Sequence, residues 1–329
     1  MSKRLNLVAA VAAAAAVFVS APYASAAAGQ EHPKPVVTAV KTVAPFDWSA
    51  GEVPENITVN PDGTLTVSML GSYAGKRPEL VRVSADGQHK TVLVTGVLGD
   101  GFTGNTRGSD GTIYYNVWSK DASRAGVWKL PPGGHPSRLA ALPADGLPNG
   151  LAIDPSGHVL YVSDSYKGTI WAVPVAGGEA RAWLTDQALA PVPTASIPIG
   201  VNGLRYHNGA VWVTNFNKST LLRVPVTAAG KPGRIHQVAG GEVGIDDFNF
   251  LSSRSDIVFA ALNTTNKVDV VYPDGTKVTV LTAADGLASP TATAVRGHEL
   301  YITDAGLADP HHAQLQGGRI NLAALRADG

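Results

Sequence analysis

A β-propeller of six four-stranded blades is the fold that the sequence predicts, and three observations predict it. A turn-and-strand unit recurs six times at a spacing of roughly 44 to 53 residues. The strands within it alternate β-branched and aromatic residues with small polar ones in period two. No convincing amphipathic helix interrupts the series. About four short strands per unit is the content of one propeller blade, and a β-sandwich has no reason for so long a period.

Taken in order, the chain opens with a targeting segment. Lys3 and Arg4 make a positive start, Leu5 to Val19 an Ala-rich apolar stretch, and Ala24-Ser25-Ala26 a small-residue cleavage pattern. Residues 1–26 therefore read as a Sec-type signal peptide cut after Ala26, with Ala28 as the alternative. The apolar stretch is shorter than the roughly 20 residues of a membrane-spanning helix. Residues 27–35 read as a flexible mature N-terminus, and 36–329 as a single propeller domain. Val36 to Val43 alternates like a strand and is expected to complete the last blade, joining the two chain ends.

The repeats follow. The first reads Glu55-Asn56-Ile57-Thr58-Val59-Asn60-Pro61-Asp62-Gly63 and then Thr64 to Ser68; the third reads Asn149-Gly150-Leu151-Ala152-Ile153-Asp154-Pro155-Ser156-Gly157 and then His158 to Asp164. The fourth, one residue shorter, runs from Asn202-Gly203-Leu204 to Asn208-Gly209 and on to Asn215. Weaker copies centre on Ser109-Asp110-Gly111, Ser255-Asp256 and Arg296-Gly297. Gly, Asn and Asp in these turns suit the positive φ that tight hairpins require. Aligning the turns puts Glu55, Thr103, Asn149, Asn202, Asp247 and Thr291 in one phase, with the second, fifth and sixth copies free to shift by one, so that Asp246 is the register alternative to Asp247. Trp118, Trp128, Trp171 and Trp212 fall on strands and read as blade-to-blade packing.

Composition narrows the function. Lys+Arg 26 balances Asp+Glu 26, which argues against a nucleic-acid partner, since phosphate binding needs a basic excess. Without cysteine there is no disulfide, thiolate nucleophile or Cys-ligated metal. No later run is apolar and long enough to span a membrane, so the expectation is a secreted, extracellular protein with no membrane attachment after cleavage. Oligomeric state leaves no signature. No G-x-S-x-G, H-E-x-x-H, P-loop or Rossmann pattern occurs.

The run Leu147-Pro148-Asn149-Gly150-Leu151-Ala152-Ile153-Asp154, with Tyr161-Val162-Ser163-Asp164 and Gly168-Thr169-Ile170-Trp171 after it, resembles the SMP-30/gluconolactonase superfamily of six-bladed propellers, across roughly Val53 to Leu325. The resemblance implies a calcium or other divalent cation on the propeller axis. It implies a Glu of the first blade, an Asn of the third and an Asp of the fourth as ligands; Glu55 and Asn149 match the first two. Asn202 departs from the third, and in this the chain is more similar to the paraoxonase lactonases, which take an Asp from the following blade, matched by Asp247. Thr103 also departs, standing where the wider family often has Asn, with Asn105 nearby.

The chemistry follows from the phase. Residues equivalent in repeat phase meet where the inward-running strands converge. Two carboxylates and two amide oxygens there make an all-oxygen site that suits Ca²⁺, with its 6 to 8 oxygen ligands, better than zinc. A cation so held would polarise a lactone or ester carbonyl while an adjacent Asp or His deprotonates water. Glu55, Asn149, Asn202 and Asp247 are thus the expected metal ligands. Asp247 is also the candidate base, together with His311 and His312 in the long loop from Asp304 to Gly318. Tyr73, Lys120, Tyr166 and Phe216 are expected on loops of the same face. The functional expectation is a metal-dependent hydrolase of lactones or related esters. Its rival is a non-catalytic propeller of the NHL-repeat kind that binds a glycan, peptide or protein, in which the same Asn and Asp side chains only cap turns.

Overall fold

Six antiparallel sheets of four strands each stand in a ring in the computed structural model, which describes residues 34–325. The expected signal peptide, and residues 27–33 of the mature N-terminus, lie outside the described residues. The innermost strands are β2 (Pro54–Val59), β6 (Gly101–Arg107), β10 (Pro148–Ile153), β14 (Val201–His207), β18 (Ile245–Ser252) and β22 (Pro290–Arg296). Each touches the innermost strand of the next blade, and β22 touches β2. Among the described residues no helix is long and apolar enough to cross a membrane.

The sixth blade is assembled from both chain ends. Its order is β1 (Val37–Pro45), β24 (Gln314–Ile320), β23 (Glu299–Asp304) and β22. Pairing of β1 with β24 joins Val37 to Ile320 and Pro45 to Gln314. The expected closing strand is therefore present, two residues longer at its C-terminal end than the alternation suggested. Closure pairs what would otherwise be an open edge.

Apolar cores lie between adjacent blades, because each sheet buries side chains on both faces. Ala152, Tyr161 and Ile170 of the third blade meet Leu204, Val211 and Val213 of the fourth. Trp212 packs edge-on against Phe250 of the fifth, and truncating so large a buried side chain typically costs about 3–5 kcal/mol. Trp128 and Trp171 lie half-buried against such cores, as expected. Trp118 does not: it lines the axial cavity described next.

One irregularity, repeated six times, positions the site. Pairing between the first two strands of every blade shifts register directly after Pro54, Phe102, Pro148, Val201, Ile245 and Pro290. Such a bulge bends the strand and re-aims the residue that follows. Those following residues are Glu55, Thr103, Asn149, Asn202, Asp246 and Thr291. The fifth blade thus contributes Asp246 in phase, not Asp247: at this repeat the weak turn hides a one-residue offset.

Candidate active site

All six in-phase residues, Glu55, Thr103, Asn149, Asn202, Asp246 and Thr291, line a single cavity of about 270 Å³ on the axis. They form its polar floor. Its walls are mostly apolar, with Leu70, Trp118, Leu147, Phe216, Leu307, the rings of Tyr73 and Tyr166 and a segment around Ile197 and Ile199, and include the polar Asn217, Asn263 and Thr264. The only charged side chains in the lining are the two floor carboxylates, Glu55 and Asp246.

Backbone packing makes the ring tight. After the floor residue the third and fourth blades have Gly150 and Gly203, and each lies against the next blade's bulge. A Cβ on Gly150 would sit 2.4 Å from the Leu204 nitrogen and 2.6 Å from the Asn202 oxygen; one on Gly203 would sit 2.5 Å from Asp247 Oδ1. Second-strand side chains then tie each blade to the next floor residue. Ser68 donates to the Thr103 carbonyl, Asn116 Nδ2 to that of Asn149 at 2.7 Å, Ser163 to that of Asn202, and Thr214 to that of Asp246 at 2.6 Å. The same hydroxyls accept from the bulge amides Gly150 N–H at 2.7 Å and Gly203 N–H at 2.8 Å. Sequence reasoning passed over this relay. Its signal was a Ser, Thr or Asn recurring at one phase of the second strands.

The floor carboxylates lack compensation. No ion pair among the described residues involves Glu55 or Asp246. Asn202 Nδ2 donates to Asp246 Oδ1 at 2.9 Å, and the buried Asn202 Oδ1 has no hydrogen-bond donor. Removal from bulk solvent, and then the charge of Asp247, push Glu55 up to about 8. Burial first, then the charges of Glu55 and Asp247, push Asp246 well above the usual carboxylate range against the opposing Asn202 bond. Tyr73 stands at the rim, and its phenol is pushed up to about 12 by loss of solvent and by Glu55, Tyr166 and Asp246.

Asp247 occupies a different place. Its Oδ2 accepts from Asn56 Nδ2 of the first blade and lies 2.7 Å from Arg205 Nη2 of the fourth; its Oδ1 accepts from the Phe248 amide at 2.7 Å. Burial raises its pKa, and Arg205 opposes that most strongly. Beyond it a second cavity of about 270 Å³, lined by Thr58, Asn105, Arg205 and Asn249 among others, opens at the opposite end of the axis. Asp247, Arg205 and Asn56 thus form a polar layer next to the floor, with both Asp247 oxygens engaged.

The structure brings Glu55, Asn149 and Asn202 together with Asp246, and holds Asp247 one residue away from their ring. His311 and His312 do not join them. They lie in an exposed turn, Pro310–His312, with His312 Nδ1 2.8 Å from Asp309 Oδ2. His312 lines a separate cavity with Gly286 and Ser289. From the long loop it is Leu307 that reaches the axial cavity; Tyr73, Tyr166 and Phe216 line it as expected of their loops, and Lys120 does not. A larger groove of about 570 Å³ sits on the turns between blades 1 and 2, lined by Asp62, Arg82 and Arg107 among others, and holds none of the floor residues.

Among the described residues no three His, Cys, Asp or Glu side chains converge as a metal centre. The donor set on the floor nevertheless fits a hard cation: two carboxylates without a cationic partner and two amides, one of which, Asn202, has an orphaned oxygen.

No family model matches the chain, and no curated protein does. Solved structures do. An auxiliary nutrient binding protein from Bacteroides ovatus aligns with TM-score 0.67 at 12% identity, over 88% of this chain and 78% of its own. A gluconolactonase from Xanthomonas campestris aligns with TM-score 0.64 at 15% identity, over 86% and 89%. Regucalcin from Agrobacterium tumefaciens, described as a calcium-binding protein, aligns with TM-score 0.61 at 20% identity, over 85% and 96%. At such identities the likeness establishes the fold, a six-bladed β-propeller of the kind that gluconolactonases and regucalcin also have.

Proposed function

We propose that the axial cavity is the active site of a hydrolase of lactones or related esters that depends on a divalent cation, Ca²⁺ by preference, held by Glu55, Asn149, Asn202 and Asp246. The observation that carries this reading is the pair Glu55 and Asp246, two carboxylates enclosed at the floor of a cavity without a cationic partner among the described residues. Like charges so placed are costly unless a cation or a proton compensates them. When bound, a divalent ion would supply that charge, keep both carboxylates ionised and polarise a substrate carbonyl.

The chain's own groups do the rest. Asn202 fixes Asp246 through Oδ1, which leaves Oδ2 to take a proton from water attacking the carbonyl carbon. The bond to the leaving oxygen then breaks, that oxygen receives the proton from Asp246, and a hydroxy acid, or an acid and an alcohol, departs. The largely apolar walls lower the local polarity and strengthen interactions at the floor. Asp247, with both oxygens engaged, holds the floor in place.

The test is hydrolysis of γ- and δ-lactones and aryl esters by the purified chain, before and after chelation and after Ca²⁺ is restored. Turnover that follows the ion and disappears in Asp246→Asn supports the reading. If no substrate turns over under any metal condition, the non-catalytic binding propeller replaces it, a reading favoured by the likeness to the nutrient binding protein. Export rests on the sequence alone, and we propose it with its own check: the mass of the protein recovered outside the cell should begin at Ala27.

A further inference from the structure

The connection between β13 (Arg181–Thr185) and β14, residues 186–200, is a long inter-blade segment that the repeat pattern does not explain. It brings Ala195, Ser196, Ile197 and Ile199 to the axial cavity. It has no regular structure, yet it is fastened along its length by the fourth blade. Asn215 Nδ2 donates to the Ala188 and Ala190 carbonyls at 2.9 and 3.1 Å. Asn217 grips it twice, accepting from the Val192 amide at 3.2 Å and donating to the Ile197 carbonyl at 3.0 Å. The Asn217 amide donates to the Ile199 carbonyl at 3.1 Å, and the Gly200 amide to Ser165 at 2.9 Å. Pro191, Pro193 and Pro198 restrict the backbone further, and Pro198 also restricts Ile197 before it.

A segment held this way is set in position before any ligand arrives. What it presents is apolar. Ile197 is 58% exposed, and Tyr73, Tyr166 and Leu307, which line the same cavity, are also exposed large hydrophobic residues. Exposed apolar side chains gathered at a cavity mouth mark a binding surface. Above the floor this mouth has no charged side chain, and its neutral polar residues Ser196, Asn217, Asn263 and Thr264 are outnumbered by apolar and aromatic ones, so the larger part of the surface a substrate meets is apolar.

We propose that residues 186–200 are the specificity element of the axial cavity. Ile197, together with Tyr166 and Leu307, selects lactones or esters with an alkyl or aryl substituent beside the reacting group over polyhydroxylated sugar lactones. This rests on the hydrolase reading. A substrate's apolar group lies against Ile197 while its carbonyl reaches the floor. Asn217, which also lines the cavity, acts as a positioning residue for Ile197 through its bonds to the Val192 amide and the Ile197 carbonyl.

The experiment compares kcat/KM for an alkyl-substituted δ-lactone and for glucono-δ-lactone in the wild-type chain, Ile197→Leu, Ile197→Asp and Asn217→Ala. It also measures by calorimetry the binding of the corresponding alkyl δ-lactam, which is not turned over. The wild type should favour the alkyl lactone. Ile197→Asp should lower that preference about tenfold or more, the size expected when an apolar substituent loses a methylene or two of contact, Ile197→Leu should retain it, and Asn217→Ala should lower it by raising KM for the alkyl lactone more than KM for glucono-δ-lactone. Lactam binding weakened by Ile197→Asp in a chain that hydrolyses nothing overturns the hydrolase reading and upholds the selective mouth. Hydrolysis with an unmoved preference, or lactam binding that is absent or indifferent to Ile197→Asp, overturns the proposal.

Discussion

Arg205 and Asp247, from neighbouring blades, meet near the axis with Nη2 2.7 Å from Oδ2, both withdrawn from solvent. Arg205 is the only Lys or Arg ion-paired to an axial carboxylate among the described residues. A buried pair of this kind is worth little against an apolar replacement, but losing one partner strands the other's charge.

Arg205→Met should therefore destabilise the fold by about 3–5 kcal/mol. The double variant Arg205→Met/Asp247→Asn should recover much of that loss. Denaturant unfolding of these, of wild type and of Asp247→Asn alone completes the cycle; a double variant as unstable as the sum of the singles would mean that the two side chains do not act as a pair.

Asp246→Asn and Glu55→Gln should behave in the opposite sense. Each removes one of two uncompensated carboxylates, so in chelator the variants should melt no lower than wild type. With Ca²⁺ at a hundred times its dissociation constant, the wild type should gain about 2.7 kcal/mol and the variants little. Melting curves with and without Ca²⁺ decide it, and equal gains in all three proteins would remove the ion from this floor.

Gly203→Ala puts a methyl group 2.5 Å from Asp247 Oδ1 and 2.7 Å from the Asp246 carbonyl oxygen. Overpacking at the blade seam should cost about 1–3 kcal/mol and lower Ca²⁺ affinity, because Asp246 and Asn202 flank that seam. Chemical denaturation and calorimetric titration read the two effects separately.

Glu242 supplies a pH dependence away from the axis. It is fully buried, with Lys277 Nζ 3.1 Å from Oε1. Burial raises it to about 7, against the pull of Lys277 and with a further push from Asp269. A carboxyl raised in the folded state contributes stability that is complete below its ordinary value near 4.5 and lost as pH rises through 7. Stability should fall across that interval, and Glu242→Gln should flatten the fall. Identical slopes in the two proteins would assign the loss to other groups.

The repeats at Asn149 and Asn202 were legible because Asn-Gly-Leu marks the bulge directly: the side chain turns to the axis, and the glycine lets the next blade approach. The fifth blade has no such glycine. Asp246-Asp247-Phe248 offers two carboxylates in succession, and only the register of Ile245 with Leu262 and of Phe248 with Ala260 shows which one follows the bulge. Leu307 and the 186–200 segment were illegible for another reason. They answer to no repeat phase, and what places them is a set of long-range hydrogen bonds from Asn215 and Asn217. Trp118 satisfied the pattern of a packed strand residue, but it stands next to the axis, where the blades leave an opening.

Closure of the ring by β1 has a consequence in time. Val37 is made well ahead of its partner Ile320, and over the intervening chain, at about 5–20 residues per second, the first strand waits roughly fifteen seconds to a minute for its mate. Throughout that wait the sixth sheet is incomplete, and its unpaired edge is open to chaperones and to other unfinished chains. The same latch that makes the finished ring continuous leaves the growing chain unlatched until β24 emerges.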